Sequence, residues 1–170
     1  MAVRRPLDVR RELLEEFERC ARITEYLANV IPANIWNVDP PGGDGRPVGR
    51  GGGRSIAAIV AHIHGIRRTF AKLAGVDPAP AALDRNGVTR AEAVRALRES
   101  RTALTGLFSS AFDQGRGRIP KLPRRTVNMM LYVIQHDAHH RGQISMIARA
   151  LGHEFSKDDV MRIWGWKKLP

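Results

Sequence analysis

The sequence predicts an all-α protein, an antiparallel four-helix bundle with a glycine-rich loop after the first helix and a short tryptophan-containing tail. Three observations support this prediction. Four long segments repeat apolar residues at steps of three and four, which is the period of an amphipathic helix. Proline and glycine separate these segments, and no useful stretch alternates apolar and polar residues as a strand would. Four such helices joined in sequence are typical of a bundle.

The first predicted helix runs from about Leu7 to Ile31, and Pro32 ends it. Its apolar stripe consists of Leu13, Phe17, Cys20, Ile23, Leu27 and Val30. A glycine- and proline-rich loop, residues 40–54, follows. Its glycines do not come after a strand, so neither a phosphate loop nor a dinucleotide-binding turn is indicated.

The second predicted helix spans about Ile56 to Ala74, with Ser55 as its N-cap. Its core face is expected to consist of Ile56, Ile59, Val60, Ile63, Ile66, Phe70 and Leu73. The third spans about Arg90 to Phe112, and Thr89 with Glu92 has the spacing of a capping box. Its inward residues are expected to be Val94, Leu97, Leu104, Leu107, Phe108 and Phe112.

The fourth predicted helix spans about Arg124 to Leu151, and Gly152 ends it. One line along it, at helical spacing, consists of Met129, Val133, His136, His140, Ile144, Ile147 and Leu151. A second apolar line consists of Val127, Met130, Leu131, Ile134 and Ala138. This second line predicts burial on two sides, as in a central helix or at a subunit contact. The tail, residues 153–170, contains Trp164 and Trp166 and room for one short helical turn.

Length and composition favour one domain spanning residues 1–170. The single cysteine, Cys20, excludes an internal disulfide framework and favours a reducing compartment. The first residues lack the apolar run of a secretory signal, and no apolar stretch approaches the length of a membrane span. We therefore expect a cytoplasmic protein.

The formal charge of +11 comes from 28 Lys and Arg against 17 Asp and Glu. Such an excess can indicate a nucleic-acid partner. Here the basic residues are dispersed, and aromatic residues are not interleaved with their densest cluster, Lys121 to Arg125. We therefore favour a solvated arginine-rich surface over a nucleic-acid site. The positive field could also attract anionic small molecules or thiolates.

Five of the six histidines fall in two clusters, residues 62–64 and residues 136–140. His136 and His140 are four residues apart, so both imidazoles can face one metal from one side of a helix. His139 should face solvent or an interface. In the second helix, the geometry prefers His62 over His64 as the inward residue by a modest margin.

Three inward imidazoles from two helices could bind a divalent metal and leave a fourth position for water or substrate. A histidine on an apolar face is more often a hydrogen-bonded core residue, so geometry alone leaves both interpretations open. The residue after His136 is Asp137, so the HExxH pattern of metalloproteases is absent.

Two stretches resemble the DinB/YfiT-like family of four-helix-bundle metalloenzymes. Residues 55–62, SIAAIVAH, are similar to that family's second-helix segment, and residues 136–143, HDAHHRGQ, match its HxxxHRGQ signature. The resemblance implies a divalent metal bound by His62, His136 and His140, with zinc or nickel first and iron or manganese as alternatives. It also implies a homodimer. The family that the sequence resembles includes transferases that use low-molecular-weight thiols.

These observations favour a metal-dependent enzyme acting on a small molecule, either a thiol-dependent transferase or a hydrolase. A metal- or ligand-binding module without catalysis is the alternative, and a nucleic-acid-binding protein is less favoured. Asp137, Arg141 and Gln143 are candidates for contacts to the ligand imidazoles or to substrate, although an ordinary ion pair is the simpler expectation for Asp137. No residue stands out as a general base, and Cys20 lies on a core stripe, where a cysteine usually serves packing.

Overall fold

The computed structural model describes residues 6–40 and 54–170. Over these residues the protein is all-α, without strands, and its helices pack together. The helices are α1 (Val9–Val30), α2 (Ala33–Trp36), α3 (Ile56–Leu73), α4 (Arg90–Asp113), α5 (Thr126–Ala150) and α6 (Lys157–Ile163). Nearly all of the predicted glycine-rich loop, residues 41–53, lies outside the described residues. The four long helices agree with the predicted segments to within two residues at each end.

The predicted helix starts and stops are confirmed. Ser55 accepts a hydrogen bond from the backbone amide of Ala58, which satisfies one of the free donors at the start of α3. Thr89 and Glu92 form a complete capping box at the start of α4. After α3, Gly75 has a φ of +84°, a left-handed conformation that glycine adopts without the steric cost of a Cβ atom.

Helices α1 and α3 each pack against both α4 and α5. Two apolar clusters form between them, one containing Leu27, Ile59 and Leu97, the other containing Phe17 and Phe108. Helix α5 contributes Met129 and Val133 to the second cluster and Ile144 to the first. The histidine-containing segment of α5, residues 136–140, therefore lies between two apolar regions of the core.

Two short helices complete the described chain. Helix α2 was not predicted, and it buries Trp36, whose indole nitrogen donates to the Val88 carbonyl oxygen at 2.9 Å. Helix α6 confirms the short helical turn expected in the tail. It contacts α1, where the Tyr26 hydroxyl donates to the Asp159 carboxylate at 2.6 Å. Trp164 and Trp166, just beyond it, are 72% and 75% exposed.

The core face of α5 differs from the predicted one at its centre. The buried line consists of Thr126, Met129, Met130, Val133, Asp137, His140, Ile144 and Ala148. Asp137 therefore occupies a fully buried position on this line, whereas the His136 side chain, which was predicted there, is 11% exposed. The carboxylate can be buried because it pairs with Arg67 of α3, and a paired charge avoids the cost of an isolated one.

Two further expectations about burial are wrong within the single chain. Val127 and Leu131 are 38% and 41% exposed, so the first half of α5 is not buried on two sides. On α3, Leu73 is 42% exposed, whereas Arg67 and His64 are fully buried. None of the helices in the described ranges has the length and hydropathy required to cross a membrane.

Candidate metal centre

Three histidine side chains meet between α3 and α5. His62 comes from α3, and His136 and His140 come from successive turns of α5. The Nε2 atom of His136 lies 3.2 Å from Nε2 of His62 and 3.2 Å from Nε2 of His140. The ligand atoms of the three residues all lie within 4.8 Å of one another, so the group could hold a metal ion.

Hydrogen bonding among neutral imidazoles explains this arrangement poorly. Each neutral ring has one N–H donor and one lone pair, and the lone pair lies in the ring plane. Because His136 Nε2 has two imidazole nitrogens at the same distance, it can make a well-aligned hydrogen bond to only one of them. A cation at the centre would satisfy all three lone pairs. With zinc–nitrogen bonds of about 2.0–2.1 Å, tetrahedral geometry places two ligand nitrogens about 3.3–3.4 Å apart.

The electrostatic environment keeps His62 and His140 neutral, which is the form that binds a metal. Burial and, after it, the charges of the neighbouring His140 and His136 lower the pKa of His62 to about 4. Burial also lowers the pKa of His140. At neutral pH these imidazoles therefore carry a free lone pair, and no proton has to be displaced before a metal can bind.

Gln143 orients one of the three rings. Its Oε1 atom lies 2.7 Å from Nδ1 of His140, one helical turn away. The amide oxygen can only accept, so Nδ1 of His140 carries the proton and its Nε2 carries the lone pair that faces the other histidines. Gln143 therefore makes one of the contacts to a ligand imidazole for which the sequence made it a candidate, and both residues lie on α5.

Asp137 lies beside a second ring of the cluster. Its Oδ1 atom is 3.7 Å from Nδ1 of His136, and its Oδ2 atom pairs with the guanidinium of Arg67. Burial alone would raise the pKa of Asp137, but the Arg67 charge, together with polar contacts to His136 and Arg67, holds the pKa below its usual range. Asp137 is thus a buried carboxylate that makes the expected ion pair and also faces a candidate ligand.

Arg141, the third residue singled out beside the histidines, extends toward α1. Its guanidinium donates to the Thr24 hydroxyl at 3.1 Å and to the Cys20 carbonyl oxygen at 3.3 Å. These contacts join α5 to α1, which is a packing role. Cys20 itself is buried, as predicted for a residue on the core stripe of the first helix.

The remaining histidines of the two clusters lie outside the group. His64 is fully buried, and its ring nitrogens contact the carbonyl oxygens of Ala96 and Ala81 at 2.9 and 2.7 Å. His64 is therefore a hydrogen-bonded core histidine, which the sequence did not predict because it preferred His62 as the inward residue. His62 is the histidine of α3 that faces α5. His139 is exposed, in agreement with its predicted orientation.

A comparison of the sequence with protein families identifies the family of this chain. A sequence model of the DinB family matches residues 4–167, nearly the whole chain. The chain belongs to the DinB family. No curated protein and no solved structure matches the chain. The assignment of this protein to the DinB family therefore comes from the sequence match. The candidate metal centre is inferred separately, from the positions of the three histidines.

Arg67 is the residue that sequence reasoning missed. A charged residue in an amphipathic helix normally faces solvent, so the apolar pattern of the second helix does not single it out. A signal was nevertheless present in the spacing. Arg67 follows Ile63 by four residues and precedes Ala71 by four, on the most buried line of α3. An arginine at such a position predicts a buried acidic partner on a neighbouring helix.

Proposed function

We propose that this DinB-family protein is a metal-dependent enzyme that acts on a small molecule, with a divalent metal held by His62, His136 and His140. The convergence of three imidazole nitrogens on one point is the observation that supports it. Zinc and nickel are the preferred metals and iron and manganese the alternatives, since all four accept imidazole nitrogen.

The donor set favours catalysis over a purely structural role. Structural zinc sites usually have four protein ligands, whereas three leave a position for water or substrate. A metal so bound supplies a Lewis acid that can activate water or a thiolate, so transferase and hydrolase chemistry are both open to this site. The protein's own contribution is to orient the rings, through Gln143 for His140 and through Asp137 for His136.

The charge around the site favours an anionic substrate, such as a low-molecular-weight thiol in its thiolate form. Arg54 and Arg85 are close enough to His62 to contribute to the lowering of its pKa. Their positive potential would favour the approach of an anion, in keeping with the overall charge of +11. We infer that this positive potential attracts anionic substrates to the metal centre and does not mark a nucleic-acid-binding surface.

We further infer that the chain forms one domain, in which the four long helices make an antiparallel bundle, and that two chains associate as a homodimer. The exposed apolar residues of α5 support the association. Val127, Leu131 and Met146 are 38%, 41% and 75% exposed. Such residues on one helix would gain from burial against a second chain. Sedimentation of the purified protein tests this, and a monomer at high concentration would exclude it.

Metal analysis of the purified protein tests the central proposal. We expect about one divalent metal per chain in the wild type and a large loss in the double variant His136→Ala/His140→Ala. His139→Ala is the matched control, because it removes an exposed histidine from the same turn of α5. Equal and sub-stoichiometric metal in all three proteins would exclude the centre.

A second experiment separates an enzyme from a metal-binding module. The metal-loaded protein is assayed with a panel of thiol-transfer, ester and amide substrates, and the assay is repeated after chelation and after the metal is restored. We expect turnover that is lost and then recovered. Full metal occupancy without any metal-dependent turnover would favour the non-catalytic module instead.

A further inference from the structure

Arg67 and Asp137 form a fully buried ion pair between α3 and α5. The guanidinium NH2 group of Arg67 donates to Oδ2 of Asp137, and the two side chains are 0% and 2% exposed. The NH1 group donates to the Leu97 carbonyl oxygen of α4 at 3.3 Å. The pair therefore fixes one carboxylate oxygen of Asp137 against two neighbouring helices.

Stability alone explains such a pair poorly. Removing two charges from water carries a desolvation penalty that their mutual attraction only partly repays. Well-packed apolar residues of similar volume often stabilise a core as well or better. The hydrogen bonding here is also incomplete, since Nε of Arg67 is buried without a partner among the described residues. A buried pair of this kind is therefore expected to serve another purpose.

The other carboxylate oxygen indicates that purpose. Oδ1 of Asp137 and Nδ1 of His136 are both buried, and neither has a hydrogen-bond partner in the described part of the chain. They lie 3.7 Å apart, so each is the polar atom that the other faces. After a small shortening of this distance, a proton on Nδ1 of His136 would form a hydrogen bond that satisfies both atoms, and it would leave the lone pair on Nε2. Nε2 is the atom that points at His62 and His140.

We propose that Arg67 is a positioning residue for the metal centre, which acts through Asp137 to fix the orientation and tautomer of His136. This inference rests on the proposed metal site. Arg67 holds Oδ2 of Asp137, so that Oδ1 remains on the side of the imidazole. Carboxylate groups that accept from the outer nitrogen of a ligand histidine commonly strengthen metal binding.

Metal affinity provides the first test. Zinc affinity is measured by competition with a chromogenic chelator for the wild type and for Arg67→Met and Asp137→Asn. We expect binding to be about tenfold to hundredfold weaker in both variants. The matched control is Glu25→Gln, which breaks the Arg101–Glu25 ion pair at 2.7 Å between α1 and α4, helices that carry none of the three histidines. Its affinity should stay within about twofold of the wild type.

The double variant Arg67→Met/Asp137→Leu separates positioning from stability. It replaces both charges with apolar side chains, so we expect it to fold even if a single variant leaves an unpaired buried charge and unfolds. We expect it to melt close to the wild type and still to bind zinc about tenfold or more weakly. Wild-type zinc affinity in this folded variant would overturn the inference.

The tautomer of His136 in the metal-free protein provides a readout that does not depend on metal binding. Long-range proton–nitrogen NMR spectra distinguish a proton on Nδ1 from a proton on Nε2. We expect the Nδ1–H form in the wild type and a shift toward Nε2–H in Asp137→Asn. An Nε2–H form of His136 in the wild type would overturn the inference directly. Wild-type protein with the expected tautomer but no zinc binding would instead overturn the proposed function and, with it, the role assigned to Arg67.

Discussion

His136 and His62 place their Nε2 atoms 3.2 Å apart, although 74 positions separate them in the sequence. The contact exists because α3 and α5 pack against each other with these side chains turned inward. His140 joins them from the next turn of α5, and the three rings form a site that could hold a cation. The site therefore depends on the packing of the helices. A metal bound there should stabilise the folded chain, and its removal should destabilise it.

We expect metal removal to lower the melting temperature of the wild-type protein. A ligand that binds only the folded state stabilises it by about 2.7 kcal/mol at a free concentration of 100 times its dissociation constant. Differential scanning calorimetry with and without a chelator measures the shift. In His136→Ala/His140→Ala the chelator should have no effect, and an equal shift in that variant would show that the metal acts elsewhere.

Gly142 should be replaceable by alanine with a gain in stability. A Cβ atom at this position inside α5 would meet no atom within 4 Å among the described residues. Alanine in a helix interior is favoured over glycine by about 1 kcal/mol. Chemical denaturation of Gly142→Ala measures the gain. Gly75→Ala is the control and should destabilise, because Gly75 has a φ of +84°. A destabilised Gly142→Ala would indicate an unseen neighbour, such as a second chain.

Cys20 should react slowly with thiol reagents and become reactive only at strongly alkaline pH. Burial and, after it, the hydrogen bond to Glu16 raise the pKa of its thiol to about 11. The thiolate is the reactive form, so labelling by a disulfide reagent should stay slow in the folded protein at pH 8. Fast labelling there, at the rate of the denatured chain, would contradict the buried position.

The same thiol makes stability depend on pH. The unfolded thiol releases its proton near its ordinary pKa, whereas the folded thiol keeps it to about pH 11. The unfolded state then binds fewer protons, so the free energy of unfolding falls as the pH rises between these values. Denaturation curves of the wild type and Cys20→Ala measure this, and the variant should lose less stability over the interval. Parallel curves would exclude the effect.

Thr89→Ala should cost about 1 kcal/mol of stability, with a range of about 0.5–2. Its hydroxyl caps the amide of Glu92, and the Glu92 carboxylate accepts from the Thr89 amide at 2.9 Å. Chemical denaturation measures the loss. Thr102→Ala is the matched control, since that exposed threonine bonds only the Arg98 carbonyl oxygen within α4. An equal effect of both substitutions would exclude a specific contribution of the cap.

The sequence by itself determined the four long helices and named the three histidines as ligand candidates. Helix boundaries follow from local signals, such as Ser55, Thr89 and the glycines after α3 and α5, which act within a few residues. The spacing of His136 and His140 follows from the helical repeat. The family signature is also local, so the residues alone are enough to name these ligand candidates.

Tertiary structure alone decided which charges enter the core. Asp137 and Arg67 each look like surface residues, and 70 positions separate them. Their burial depends on their meeting each other, because an unpaired buried charge costs far more than a paired one. The same packing turned His62 toward α5 and left His64 bonded to two carbonyl oxygens. The helical period predicts the direction in which a side chain points. Only the packing of the helices supplies the partner that allows a charged or polar side chain to be buried.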